Sequence, residues 1–381
     1  MVSRRTRVTC AAMVSLMVLA GCGSSGDSAS KTTTTQANAQ TTTTAADATT
    51  TATSDTPSAD DATPAIVAAT NTFLDTLTAD EKAAVQFDFD DTAQRQKWSN
   101  LPEGLYERAG LMWGNLDDDS QQAWLGVLKS ILSDEGYTQV LGEWGADDAL
   151  ATGNSTGGGP GGGLTYGRDY YWVAIIGEPS ETGAWQFQFG GHHVTVNATI
   201  KGADVAVTPS FIGVQPAIYD SNGNEVKPLG TIESDAYDLV GSLDDSQRSE
   251  AVLGDTLIDL VLGPGKDGQT IESQGIKGSD LTDAQKKVLL SLIGHYGNLI
   301  NEEDAAARME QLTSEIDDTY FAWYGPTDAS DTSGIYFRVT GPSVVIEYSG
   351  QDMGGDATDH IHGMYRDPTN EYGAAFGAGL T

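Results

Sequence analysis

The chain is 381 residues long, with 54 Asp and Glu against 20 Lys and Arg and a formal net charge of −34. A surface this acidic repels phosphate backbones and anionic headgroups, which excludes a nucleic-acid partner. Concentrated salt screens such self-repulsion, the Debye length falling to about 3 Å at 1 M, so the composition points to a salt-rich habitat; an acidic bacterial surface protein is the plainer alternative.

Residues 1–21 read as an export signal: a basic start at Arg4, Arg5 and Arg7, an apolar stretch from Val8 to Ala20, then Leu19-Ala20-Gly21-Cys22. The apolar core is too short to span a bilayer as a mature helix. Small residues before a cysteine resemble a lipobox, in which Cys22 is lipidated and becomes the new N-terminus. The other cysteine is Cys10, inside the signal. The folded part therefore has no free thiol, and disulfides, thiolate ligands and a cysteine nucleophile are excluded. Residues 22–63 are nearly all Thr, Ala, Ser, Asp and Gln. With so little apolar surface they cannot offset the entropy of ordering, and they read as a disordered stalk. The predicted location is extracytoplasmic, anchored to the outer face of the membrane through lipid on Cys22, with residues 64–381 as the folded region.

Four places in that region carry an apolar Leu, a capping residue, and Gln or Glu three positions later. They are Leu77-Thr78 with Glu81, Leu116 and Asp117-Asp118 with Gln121, Leu243-Asp244 with Gln247, and Leu281-Thr282 with Gln285. Each predicts a helix start worth roughly 1 kcal/mol. Strand-like segments follow each pair: Tyr171–Gly177, Gly183–Gly190 and Val194–Asn197 after the first, Tyr320–Gly325, Gly334–Gly341 and Val344–Tyr348 after the second. A short further strand is expected in each, over Asp204–Thr208 and Asp356–His362. The expected fold class is α+β: helices plus antiparallel β-meanders in two pseudo-repeated halves, about 66–215 and 231–371. These would form two related sheets or one sheet with pseudo-two-fold symmetry. The run from Gly153 to Gly163 lacks the Lys and Ser/Thr of a phosphate loop and reads as a connector.

Four of the five histidines fall in two clusters, Gly190-Gly191-His192-His193 and Asp359-His360-Ile361-His362. In a strand His360 and His362 share a face. His192 and His193 point oppositely unless the glycines bulge the strand. The expectation is a shared site in which His360, His362 and one or both of His192 and His193 surround a cation, with Glu347, Asp359 or Asp352 adding a carboxylate ligand or supporting the ligands from behind. Three nitrogens with an open position suit Zn, or Cu, Fe or Mn in other chemistry. The competing reading is that the histidines hydrogen-bond buried backbone in a structural surface module. Arg168-Asp169 and Arg366-Asp367 flank the two regions, either as corner-locking ion pairs or, with Arg168, Arg366 and Asp367 in a catalytic role, as anchors for a substrate carboxylate. His295, alone on a helix, reads as a packing residue. Asp220–Glu225 reads as an Asn-Gly hairpin rather than a calcium loop. No nucleophile elbow, His-Glu-x-x-His helix or dinucleotide fingerprint occurs.

Several of these segments together carry a family resemblance: Arg95 to Trp98, Arg108 to Leu111, Leu132 to Tyr137, Gly190 to His193 with Asn197, Thr208 to Gly213, Ile346 to Tyr348, and His360 to His362 with Arg366-Asp367. They resemble Domain of Unknown Function family 3500 over Pro64 to Glu371. The resemblance implies a bacterial, often exported protein without an assigned activity, and places both histidine motifs in one site. The chain departs from the family at Glu347-Tyr348-Ser349-Gly350 and at Asp359, where the family tends to carry Asp-Asn and Asn. The leading expectation is a surface metal-dependent hydrolase or oxidoreductase acting on a small molecule. The alternative is a ligand- or metal-binding lipoprotein without catalysis.

Overall fold

The computed structural model describes residues 62–153, 164–352 and 356–380; the signal segment, Cys22, nearly all of the Thr-rich stalk and the Gly-rich run after Gly153 lie outside the described residues. Helix α1 (Thr63–Thr76) opens with Pro64 in its first turn, where a missing N–H costs nothing. Helix α2 (Ala79–Val85) starts at the Thr78–Glu81 capping box and feeds strand β1 (Gln86–Phe87). Helix α3 (Thr92–Arg95) and strand β2 (Leu111–Met112) follow. Helix α4 (Asp118–Ile131) is capped by Asp117 through Ser120 N, so the expected Asp118–Gln121 box does not form. Gln121 turns back instead to the carbonyls of Trp113 and Leu116. Helix α5 (Asp134–Gly153) leads to β3 (Trp172–Ile176), β4 (Trp185–Gly190), β5 (Val194–Lys201), β6 (Asp204–Ala206) and β7 (Ser210–Val214). A separate hairpin, β8 (Tyr219–Ser221) and β9 (Asn224–Val226), turns through Asn222 and Gly223, both at positive φ as an Asn-Gly turn requires.

The second stretch runs α6 (Gly230–Ser242), α7 (Asp245–Ala251), β10 (Val252–Gly254), β11 (Ile276–Lys277), α8 (Asp283–Gly297), α9 (Glu302–Ser314), β12 (Tyr320–Tyr324), β13 (Tyr336–Thr340), β14 (Val345–Gly350) and β15 (Ile361–Arg366). Capping boxes at Asp244–Gln247 and Thr282–Gln285 start α7 and α8. The expected strand over Asp356–His362 is displaced: residues before His360 form a turn, and β15 begins at Ile361.

The strands join in one thirteen-stranded, mostly antiparallel sheet rather than two, in the order β1-β3-β4-β5-β7-β15-β14-β13-β12-β10, with β2, β6 and β11 pairing off this path. The fold class is α+β. Strands β1 and β10 are each parallel to their neighbour, β3 and β12 respectively. Strand β2 is antiparallel to β3, and β11 to β12. Between the two arms lies β7, hydrogen-bonded to β5 on one side and β15 on the other.

Period-two alternation gives the sheet two unlike faces, and both are covered. Phe187, Phe189, Val196, Ile346, Phe337 and Phe321 belong to the main apolar core with residues of α1, α4, α6 and α8. Trp124 stacks on Phe187 at 4.4 Å and meets Phe73 edge-on. The alternate positions, Gln186, Gln188, Asn197, Glu347, Ser349 and Arg338, are polar yet buried. Helix α3 and irregular chain satisfy them, as buried polar groups demand. Gln186 binds Arg95, Arg338 binds Gln274, and Ser349 donates to the Ile258 carbonyl.

Candidate metal centre

The two histidine clusters meet where β7 bridges the arms. His192 and His193 are the two central residues of the β4–β5 hairpin, closed by Gly191 N donating to Val194 O, with Gly190 paired to Thr195. They are not in a strand, so strand alternation does not separate them. Both Nδ1 atoms turn to one oxygen, Asp147 Oδ1, at 3.2 Å from His192 and 2.9 Å from His193. His360 lies just before β15 and His362 within it, paired with Gly213 of β7. A Cβ on Gly213 would stand 2.9 Å from the Ile361 carbonyl and 3.1 Å from that of His193. Only glycine lets the two histidine-bearing segments come this close.

Three Nε2 atoms converge. His193 Nε2 is 3.1 Å from His360 Nε2, which is 3.0 Å from His362 Nε2. Together they form a group able to hold a metal ion; Asp147, His192 and His193 form a second such group. Two nitrogens bound at 2.0–2.1 Å to one tetrahedral cation stand roughly 3.3 Å apart, so the spacing fits. Proton counting favours the same conclusion. His193 donates through Nδ1 to the Asp147 carboxylate, which leaves its Nε2 as a bare lone pair in the neutral ring. A proton on His360 Nε2 can point at one neighbouring nitrogen, not both. A cation at the centre satisfies all three.

Electrostatics keep the rings neutral. Burial, helped by the charge His192 would carry, pushes His193 down to about 4. Burial and then His193 push His360 down to about 3, and His362 is lowered by the same causes. Neutral imidazoles are what a metal requires of its ligands. Burial opposes the charge on Asp147, but His193 and the hydrogen bonds from both rings outweigh it and hold the carboxylate below its usual range. Tyr171 hydroxyl donates to Asp147 Oδ2 at 2.8 Å and accepts from His193 N at 3.2 Å. Gly191 makes room for it, since a Cβ there would be 2.5 Å from the Tyr171 ring. Aromatic rings flank the cluster: Tyr166 at 5.0 Å from the His192 ring and Phe211 at 5.3 Å from that of His362.

The other predicted site residues lie elsewhere. Glu347 accepts from Val261 N and Leu262 N, both at 2.7 Å, and from Tyr336 hydroxyl, pinning loop to sheet away from the imidazoles. Asp359 accepts from Ala217 N. Neither Asp359 nor Asp352 joins the groups that converge on the histidines. Arg168 pairs with Asp148 at 3.4 Å and packs over Trp144, not with Asp169. Arg366 binds Asp267, Glu371 and the carbonyls of Leu262 and Gly263. Asp367 binds Arg308 at 3.0 Å. Arg366 stands four residues along β15 from His362, roughly 13 Å by strand rise. These three charges lock corners and do not face the imidazoles. His295 is tied to Asp235 at 2.9 Å. The residue that sequence reasoning missed is Asp147, whose only signal is its position on α5 one turn after Glu143 and beside the buried Trp144.

No curated protein and no solved structure matches the chain. Residues 59–374 match the family described as "Protein of unknown function (DUF3500)". That match spans most of the sequence and takes in both histidine segments, so the chain belongs to the DUF3500 family.

Proposed function

We propose that this protein is an exported, lipid-anchored metalloenzyme whose centre is the three-histidine set His193, His360 and His362. The observation that carries it is the convergence of three Nε2 atoms, with His360 Nε2 3.1 Å from that of His193 and 3.0 Å from that of the half-buried His362, and with His193 oriented from behind by a buried carboxylate. Histidine ligands backed by a carboxylate are a recurrent way to fix tautomer and ring angle. Three protein ligands and an open position mark catalytic rather than structural sites. His192 stands outside this set, since it groups with Asp147 and His193 and not with His360 and His362.

A zinc ion held by this set would supply a water that ionises near neutral pH, as hydrolysis requires, and a redox-active Cu, Fe or Mn would suit an oxidoreductase. The chain's own contribution is to hold three lone pairs in place, keep the rings neutral, and flank the histidine cluster with Tyr166 and Phe211. The substrate in this reading is a small molecule reaching an extracytoplasmic site. The Cys22 lipobox, the Thr-rich stalk and the charge of −34 support export, anchoring and a salt-rich habitat.

We also infer an internal duplication with the metal centre at its junction. In each arm the chain passes through a helix, a capped helix, a parallel edge strand, a short antiparallel strand, two helices and a meander, with the extra helix α3 between the two short strands of the first arm alone. Gly110 and Gly275, both at positive φ, back onto the carbonyls of Val173 and Phe321 at equivalent points of the two arms. One His pair then comes from each copy.

The test is metal content by mass spectrometry on protein purified in high salt without a histidine tag, beside the His360→Ala/His362→Ala variant. About one equivalent of Zn, Cu, Fe or Mn that the variant lacks is the expected result. Native protein that takes up none of the four on reconstitution, or a folded variant that keeps its metal, would overturn the proposal.

A further inference from the structure

Behind the β4–β5 hairpin lies a small cavity bounded by Lys97, Trp98, Arg108, Gln188, Gly190 and Thr195. It leaves about 10 Å³ for the centre of a water-sized sphere. That is room for one water or one monatomic ion and for no polyatomic group. We propose that this cavity binds a monatomic anion of halide size.

Two buried donors that border it have no partner among the described residues: Arg108 Nη1 and Thr195 Oγ1. Arg108 is 7% exposed and Thr195 1%. Arg108 Nη2 donates to the carbonyls of Ser99, Leu101 and Gly191, which are neutral acceptors. Its nearest carboxylate oxygen, Glu103 Oε2, is 3.8 Å from Nη1 and already accepts from Trp172 Nε1. The guanidinium charge is therefore buried with weak compensation, a costly arrangement. Lys97 also borders the cavity and forms no ion pair with any described residue. No Asp or Glu borders the cavity, although acidic residues outnumber basic ones 54 to 20 in the chain. A water would accept from both donors but leave the charge; a halide accepts from both and offsets it.

The location gives the ion a consequence. Gly190 and Thr195 are the closing pair of the hairpin that carries His192 and His193, and Arg108 also holds the Gly191 carbonyl. An anion between Arg108 and Thr195 ties the root of that hairpin to the 97–109 segment.

The test is ³⁵Cl NMR line broadening on the full chain in detergent, with bromide as competitor, for native protein, Thr195→Val and Arg108→Lys. Thr195→Val keeps the side-chain shape and removes only an unpartnered hydroxyl, so it remains informative if the arginine variant misfolds. Native protein should show bromide-displaceable excess broadening, and Thr195→Val should bind chloride about 10-fold more weakly. Displaceable broadening that is absent in native protein, or equal in native and folded Thr195→Val, would overturn the proposal and assign the cavity to water. Metal content is measured on the same samples, so a failed anion site and a failed metal centre give separate readings.

Discussion

Replacing Asp147 by Asn removes one charge from the back of the metal centre and almost no volume. In the native chain the carboxylate is wholly buried and takes three hydrogen bonds, from His192, His193 and Tyr171. Asn keeps one acceptor for the His193 Nδ1–H but presents an NH₂ to the other partners. The carboxylate that makes His193 a strong ligand becomes a weaker amide dipole. Loss of such a supporting partner typically lowers metal affinity about 10- to 100-fold, which is about 1.4–2.7 kcal/mol. Metal-free protein should lose about 1–3 kcal/mol as well, because hydrogen bonds to charge become neutral ones and one donor faces another. The affinity change is read by competition against a chromophoric chelator at pH 7.5, and the stability change by urea unfolding of metal-free protein. Zinc affinity within about twofold of native in a natively folded Asp147→Asn protein would refute the orienting role of Asp147 and, with it, the assignment of His193 as a ligand.

Metal-free protein should lose stability as pH falls. His193 and His360 titrate at about 4 and about 3 in the fold and near 6.5 when unfolded, so between those values the unfolded chain binds more protons. Their contribution is complete above pH 6.5 and declines toward pH 4, which urea midpoints across pH 4–8 would detect; a flat profile contradicts the buried, neutral rings. Gly213→Ala should destabilise by about 1–3 kcal/mol and lower metal content, because the added methyl meets two carbonyls within 3.1 Å; native stability and metal content would count against β7 as the spacer. Glu143 is buried and its pKa is raised well above the usual carboxylate range, chiefly by burial. A raised carboxyl pKa adds stability that is lost as pH rises, so Glu143→Gln should change stability by less than about 1 kcal/mol at pH 5 and become relatively favourable above pH 7. Equal effects at both pH values would show an ionised Glu143. Cys22→Ser should move the protein from the detergent phase to the aqueous phase of a Triton X-114 partition; unchanged partitioning would remove the lipid anchor from the proposal.

Local chemistry made much of the chain legible. Capping pairs at Thr78, Asp244 and Thr282 start helices because the cap and its Gln or Glu are neighbours in sequence. The aromatic strands and the Asn222-Gly223 hairpin follow from period and turn chemistry alone. Scarcity made the four clustered histidines conspicuous. Strand β7 was harder, because it is short, flanked by Pro209 and Pro216, and broken by Gly213. Yet it is the strand on which the two arms meet.

Long-range geometry decided the rest. The alternation of Trp185, Gln186, Phe187, Gln188 and Phe189 reads as a strand with one wet face. Whether loop chain then covers that face is a tertiary fact, and here it does. Glu347 and Asp147 are both acids amid dozens, and nothing local says that one pins a loop while the other backs a histidine. Arg366 sits beside Asp367 in sequence, but Arg366 ends β15 and Asp367 lies just past it, and their side chains bind Asp267 and Arg308 respectively. The sequence by itself determined the elements, their caps and the residue types able to ligate a cation, since those depend on near neighbours. Only the tertiary structure decided which nitrogens meet, since that depends on pairing between segments more than 160 residues apart.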